Sequence, residues 1–105
     1  MRSKKSKTRR TKKKVSKKVS NDKAFYFNTW QGFTGIKAKS LEEFKKAIKV
    51  VPIESLYYHL REDKNDFSAW LRGVLNEKKI ADEIDKIKSE MLEGEHLRRA
   101  IYFHL

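Results

Sequence analysis

The sequence contains no cysteine, a single proline (Pro52) and four glycines. Without cysteine there are no disulfides and no thiolate metal sites, which is typical of a reducing, intracellular compartment. No apolar run approaches the ~20 residues that a helix needs to cross a bilayer. The basic N-terminus also lacks the apolar stretch that a secretory signal peptide requires. We therefore expect a cytoplasmic protein, or a nuclear one if its source is a eukaryote.

Acidic residues are absent from residues 1–20, which carry 11 Lys or Arg residues. The rest of the chain holds 15 basic and 14 acidic residues, so this segment accounts for +11 of the formal net charge of +12. Val15 and Val19 supply almost all of its apolar surface, too little to offset the entropy lost on ordering. The sequence predicts a disordered basic arm over residues 1–22, joined to one globular domain over residues 23–105.

A cationic arm of this kind favours a polyanionic partner, because each Lys or Arg that neutralises a phosphate releases condensed counterions. With all its cations on one single strand, the salt slope would approach about −8. A membrane surface is disfavoured because the arm has no aromatic or leucine face. RNA is favoured over DNA, since basic segments often fold on structured RNA. The predicted binding residues of the arm are Arg2, Lys4, Lys5, Lys7, Arg9, Arg10, Lys12, Lys13, Lys14, Lys17 and Lys18.

The segment Ala24–Ala38 is dense in aromatic and β-branched residues and predicts a β-hairpin. Because side chains alternate along a strand, Phe25 and Phe27 should face one side of the first strand, with Tyr26 and Trp30 on the other. The motif Gly32–Gly35 has the GxxG outline of a KH-domain loop, but a hairpin turn explains it better. Core packing is the usual fate of aromatic residues. If any aromatic contacts nucleic acid, the candidates are Tyr26, Trp30 and Phe33, beside Lys37 and Lys39.

Four or five short helices follow the hairpin. Ser40 and Glu43 form a capping box before the apolar stripe that begins at Leu41. Pro52 ends this helix and starts the next, and Asn65 or Asp66 is the expected N-cap of the third. Asn76 is expected to open a fourth helix, with a last helix after Gly94. The predicted buried side of the fourth helix is Ile80, Ile84, Ile87 and Met91, and the predicted core is Phe44, Leu56, Trp70, Leu71, Ile80 and Ile84. The fold class is α+β, mostly helical.

Several segments resemble a small archaeal domain family of uncharacterised function. The shared features are an aromatic strand (Phe25–Phe27), a TG turn (Thr34–Gly35), a SLEEF helix start (Ser40–Phe44) and an HL…DF..W motif that spans His59–Trp70. The likeness covers roughly residues 24–90 and leaves the arm outside. It implies a common scaffold and an archaeal source, and it brings no catalytic residues.

No cluster of tuned side chains predicts an enzyme. His59, His96 and His104 have no spacing that suits a metal and are expected at the surface or at helix caps. Glu62, Asp63 and Asp66 are expected to solvate a loop or cap a helix. Residues 67–87 have the outline of a helix-turn-helix, but the acidic second helix would be repelled by a major groove. We expect no catalytic residue, metal, cofactor, small-molecule substrate or membrane contact.

The expected function is that of a structural RNA-binding protein, specifically an archaeal ribosomal protein whose arm penetrates rRNA. Within the domain, the predicted contacts are Trp30, Lys37 and Lys39, and neighbouring ribosomal proteins are expected partners. Two alternatives stay open. One is a DNA-binding or chromatin-associated protein without sequence preference, and the other is a protein-interaction module with a localising tail.

Overall fold

The structure, a computed structural model, describes residues 18–105, so the predicted disorder of residues 1–17 lies outside the described residues. A single 3-10 turn, Asn21–Lys23, leads into a two-stranded antiparallel sheet, β1 (Phe25–Thr29) and β2 (Gly32–Ala38). Five helices follow: α1 (Leu41–Val50), α2 (Ile53–His59), α3 (Asp66–Gly73), α4 (Lys78–Ser89) and α5 (Gly94–Phe103). This architecture confirms the predicted α+β class, a hairpin followed by helices.

The hairpin differs from the sequence prediction in where it turns. The tight turn is formed by Trp30 and Gln31, because Thr29 pairs directly with Gly32. The GxxG segment lies within β2, so neither a hairpin turn nor a KH loop describes it. The register shifts between Tyr26 and Asn28, and Gly35 takes a φ of 91° within this irregularity. A bulge of this kind requires a residue that tolerates positive φ, which explains the glycine.

The predicted helix starts are largely confirmed. The Ser40 hydroxyl accepts from the Glu43 amide (3.1 Å), and the Glu43 carboxylate accepts from the Lys39 amide (2.8 Å). The first bond satisfies a donor that the first turn of α1 leaves unpaired, and the second pairs the amide of the residue before the cap. Of the two candidates for the N-cap of α3, Asn65 takes the position, with its side-chain oxygen accepting from the Ser68 amide at 3.0 Å.

The start and end of α4 correct the prediction. Asn76 does not open the helix; it has a φ of 59° in the connection, and α4 begins at Lys78. The helix ends at Ser89, so Met91 falls beyond it and is 82% exposed instead of buried. Ile80, predicted in the core, is only partly buried at its edge. The apolar pattern of the sequence continues past the end of the helix. Such a pattern does not indicate where the backbone leaves the helix.

An aromatic cluster joins the hairpin to the helices. Phe25 lies 5.6 Å from Phe44, 5.3 Å from Phe67 and 5.7 Å from Trp70 between ring centroids. α1 packs on β2 and α2 on β1, while α5 lies against α1, α2 and α4. Five of the six predicted core residues are buried: Phe44, Leu56, Trp70, Leu71 and Ile84. A two-stranded hairpin is not stable alone, so burial of Phe25 and Phe27 is what fixes it to the domain.

Candidate nucleic-acid interface

The outer face and turn of the hairpin carry exposed aromatic side chains. Tyr26 is 38% exposed, Phe33 is 54% exposed and Trp30, at the turn, is 60% exposed. The Tyr26 and Phe33 rings meet edge to face at 5.6 Å. Phe25 and Phe27 point the other way, into the core, as strand alternation predicts. Tyr26 and Phe33 are therefore held on the surface by a strand pair whose other face is buried, and Trp30 is exposed at the turn between the strands.

Two residues that the sequence prediction missed extend this surface toward α2. The Tyr58 ring packs edge to face against Trp30, with centroids 5.3 Å apart. The Arg61 guanidinium lies 4.1 Å from the centroid of Tyr58 and donates to the Tyr58 carbonyl at 2.5 Å. A signal was available, because Tyr58 lies off the apolar stripe that includes its neighbour Tyr57. We call Tyr26, Trp30, Phe33, Tyr58 and Arg61 the hairpin surface.

The predicted lysines of the domain lie beside this surface but differ in their contacts. The Lys37 ammonium lies 5.9 Å from the centroid of Tyr26 and donates to the side-chain oxygen of Asn21 at 3.0 Å. Lys39 follows β2, and its backbone amide and carbonyl bond Glu43 and Val19. Lys37 thus adds charge directly to the aromatic face. The backbone of Lys39 instead bonds both to residues 18–20, through Val19, and to α1, through Glu43.

The last residues of the predicted arm are attached to the hairpin. The Val19 amide donates to the Lys39 carbonyl at 2.8 Å, and the Tyr26 hydroxyl donates to the Asn21 carbonyl at 2.6 Å. Lys18 pairs with Glu43 at 3.0 Å, and the pKa of Glu43 is lowered, first by the Lys39 amide and then by Lys18. The basic segment therefore joins the domain next to β2, on the hairpin that carries the exposed aromatic rings.

A buried histidine holds the hairpin against α2 and corrects the expectation of surface histidines. His59 is 4% exposed, and its Nε2 accepts from the Asn28 amide at 3.0 Å. Because Nε2 is the acceptor, Nδ1 carries the proton and donates to the Asp66 carboxylate at 2.9 Å. Burial lowers the pKa of His59, although Asp66 opposes that shift. The neutral ring thus satisfies a strand amide at the irregularity, where the ladder leaves it unpaired.

The acidic residues of α4 tie it to α3. Arg72 pairs with Asp82 at 2.6 Å and with Asp85 at 3.3 Å. Asp85 also accepts from the Ser68 hydroxyl at 2.6 Å and from the Asn65 side chain at 2.9 Å. Within residues 18–105, no group of three or more His, Asp or Glu side chains is arranged to hold a metal ion. The arrangement of the hairpin surface instead suits stacking and charge contacts.

Comparison with known proteins assigns a family. The chain matches a family of unknown function, DUF5752, over residues 5–105, and it belongs to that family. The match begins well before residue 24, so the family pattern includes most of the basic arm that the sequence resemblance left outside. No curated protein and no solved structure matches the chain. Among the described residues, no helix is both long and apolar enough to cross a membrane.

Proposed function

We propose that the protein is a structural RNA-binding protein, in which the basic arm neutralises phosphates and the hairpin surface stacks on unpaired bases. The expected target is ribosomal RNA. The two parts contribute differently. Phosphate contacts supply affinity and position, and contacts to bases add stacking energy and a preference for unpaired bases, which charge alone does not supply. No catalytic residue enters this proposal.

The observation that carries the proposal is the join between the two parts. Residues 18–23 are bonded to the hairpin through Lys39, Tyr26 and Lys37, so the end of the basic segment that the structure describes is attached beside exposed rings. An RNA strand that follows the arm would therefore reach Tyr26 and Phe33 with its bases. Trp30, at the turn, adds a further ring that is more than half exposed.

The exposed aromatic rings favour RNA over duplex DNA. Stacking needs bases that are not already paired and stacked, as in the loops and bulges of a folded RNA. A base stacked on an aromatic side chain contributes about 1–3 kcal/mol, and every base offers such a face. A duplex offers the arm its phosphates but gives the hairpin surface nothing to stack on.

Sedimentation of a native cell lysate tests the proposal. The full chain should migrate with a ribosomal subunit at low and at moderate salt, and RNase but not DNase should release it. Release by DNase alone would instead indicate that the chain binds DNA in chromatin. A position only at the top of the gradient, with no nuclease sensitivity, would contradict binding to either nucleic acid.

A matched pair of variants tests whether the hairpin surface contributes to association with the ribosomal particle. In the full chain, Trp30→Ala should weaken association with the particle, whereas Met91→Ala, which removes another exposed apolar side chain far from the hairpin in sequence, should not. Equal retention of both variants would show that the arm binds without help from the hairpin surface.

A further inference from the structure

A second basic surface lies between α1 and α5, apart from the hairpin surface. The ammonium groups of Lys45 and Lys49 lie 5.1 Å and 5.3 Å from the centroid of the same ring, that of Tyr102. Beside them, Lys49, Arg98, Arg99 and Tyr102 line an open groove of about 210 Å³. We call this the α1–α5 groove; Lys45 lies beside it against the Tyr102 ring and lines a neighbouring pocket. The groove is concave, and side chains from two helices contribute to it.

The two lysines crowd positive charge at one point. Each ammonium lies close to the Tyr102 centroid, so the two can be no farther apart than the sum of those distances. Exposed charges farther apart than the Debye length of about 8 Å are largely screened, so the repulsion depends on how far inside that bound the two ammonium groups lie. The face of the ring attracts both cations, but it carries no net charge to neutralise them. An anion between α1 and α5 would remove this repulsion.

Among residues 18–105, ion pairs leave most cations of the groove without a partner, although Glu42 lines a neighbouring pocket together with Lys45. In the part of the chain that the structure describes, none of Lys45, Lys49 and Arg99 forms an ion pair within 4.0 Å. Arg98, in the wall of the groove, pairs with Glu95 at 2.8 Å. Arg98 also donates to the carbonyls of Ile48 and Val51, at 2.8 Å each, and so joins the end of α1 to α5. Arg98 fixes the spacing of the two helices, and the other cations stay available to a ligand.

We propose that the α1–α5 groove binds phosphate groups, namely the phosphodiesters of a nucleic-acid strand. The proposal rests on the proposed function for the source of the phosphate, but it uses none of the hairpin residues. The domain would then hold nucleic acid at two separate places. Phe103 and Val50, adjacent in sequence to Tyr102 and Lys49, are exposed, so a comparison of RNA with anionic vesicles decides between a strand and a membrane.

The first test uses inorganic pyrophosphate and the full chain. In a nuclear magnetic resonance titration, pyrophosphate should shift the backbone amides of residues 45–49 and 98–102 more than those of α4. The double variant Lys49→Gln/Arg99→Gln should abolish the selective shifts. Uniform shifts along all basic segments, or none in the groove, would overturn the proposal even if the chain binds RNA through its arm.

The second test assigns the phosphate to nucleic acid. Lys49→Gln/Arg99→Gln should lower the affinity for single-stranded RNA about tenfold and reduce the magnitude of the salt slope by about 1. The matched control, Lys78→Gln/Lys79→Gln, removes the same charge from α4, where both lysines are exposed. Equal losses in the two variants would overturn the assignment. The assignment would also be overturned if Lys49→Gln/Arg99→Gln lowered the affinity for vesicles of anionic lipid but left the affinity for RNA unchanged.

Discussion

The two faces of the hairpin carry the same kinds of residue with opposite surroundings. On the inner face, Phe27 is fully buried and Phe25 is 6% exposed, both within a cluster of aromatic rings. On the outer face and turn, Phe33 and Trp30 are each more than half exposed. Hydrophobicity alone would bury all of them. This difference in burial separates the aromatic residues that stabilise the fold from those that contribute little to its stability.

Two pairs of aromatic rings, Tyr26 with Phe33 and Trp30 with Tyr58, are partly or largely exposed on the hairpin and α2, and their exposure calls for a reason other than stability. Scattered apolar residues at a surface are ordinary, but contiguous ones that are held in place mark a binding surface. Here they share a hairpin with the attachment point of a strongly cationic segment. The comparison between the two faces therefore predicts opposite responses to mutation: the inner face should control stability, and the outer face should control binding.

The largest effect is expected on the inner face. Phe27→Ala should lower the free energy of unfolding by about 3–5 kcal/mol, because it opens a cavity among fully packed rings. Phe33→Ala should lower it by less than about 1 kcal/mol, since that ring is half exposed already. Urea denaturation of both variants measures the difference. Similar losses in the two variants would show that the outer face also supports the fold.

The arm should control the salt dependence of binding. Replacing Lys12, Lys13 and Lys14 with Gln removes three cations and should reduce the magnitude of the salt slope for single-stranded RNA by about 2. The unfolding free energy should not change. Fluorescence anisotropy across a series of salt concentrations checks this. An unchanged slope and affinity would mean that this part of the arm does not contact the strand.

Acidification should loosen the hairpin through His59. Because burial lowers the pKa of His59 below its ordinary value of 6.5, the unfolded chain binds a proton more readily than the folded one. The stabilisation is therefore complete above pH 6.5 and is lost as the pH falls toward the folded-state pKa. A protonated Nε2 also could no longer accept from the Asn28 amide. Unfolding measured from pH 7.5 to 5 should show this loss, and His59→Gln should flatten it.

The smallest effect is expected from Lys18. Its ion pair with Glu43 joins side chains that are 59% and 33% exposed, and pairs of this kind contribute at most about 1 kcal/mol. Lys18→Gln should therefore lower the melting temperature only slightly and leave the hairpin contacts intact. A large loss of stability would instead show that docking of the arm supports the whole domain.

Local patterns predicted the fold well because the signals were local. The Ser40 cap, the Asn65 cap and the alternation of Phe25 and Tyr26 each depend on residues a few positions apart. The end of α4 was wrong because the apolar period continues to Met91, whereas the backbone leaves the helix at Ser89. The hairpin turn was misplaced because Gly35 signals positive φ equally well in a turn or in a bulge.

The parts of the candidate site that the sequence did not predict depend on long-range contacts. His59 reaches the Asn28 amide across a separation of 31 residues, which no periodicity encodes. Tyr58 and Arg61 join the hairpin surface only because α2 packs on β1. The arm is different: its charge can be read directly from the sequence, while its attachment through Val19 and Asn21 required the structure.

The most direct test measures the affinity of the full chain for single-stranded RNA after the double substitution Trp30→Ala/Phe33→Ala. Affinity should fall at least tenfold, consistent with stacking of about 1–3 kcal/mol per base, while the salt slope stays as in the unchanged chain and the variant remains folded. That outcome would separate stacking on the hairpin surface from the charge of the arm. Unchanged affinity, with binding otherwise intact, would contradict the account: the exposed rings would then have no part in RNA binding.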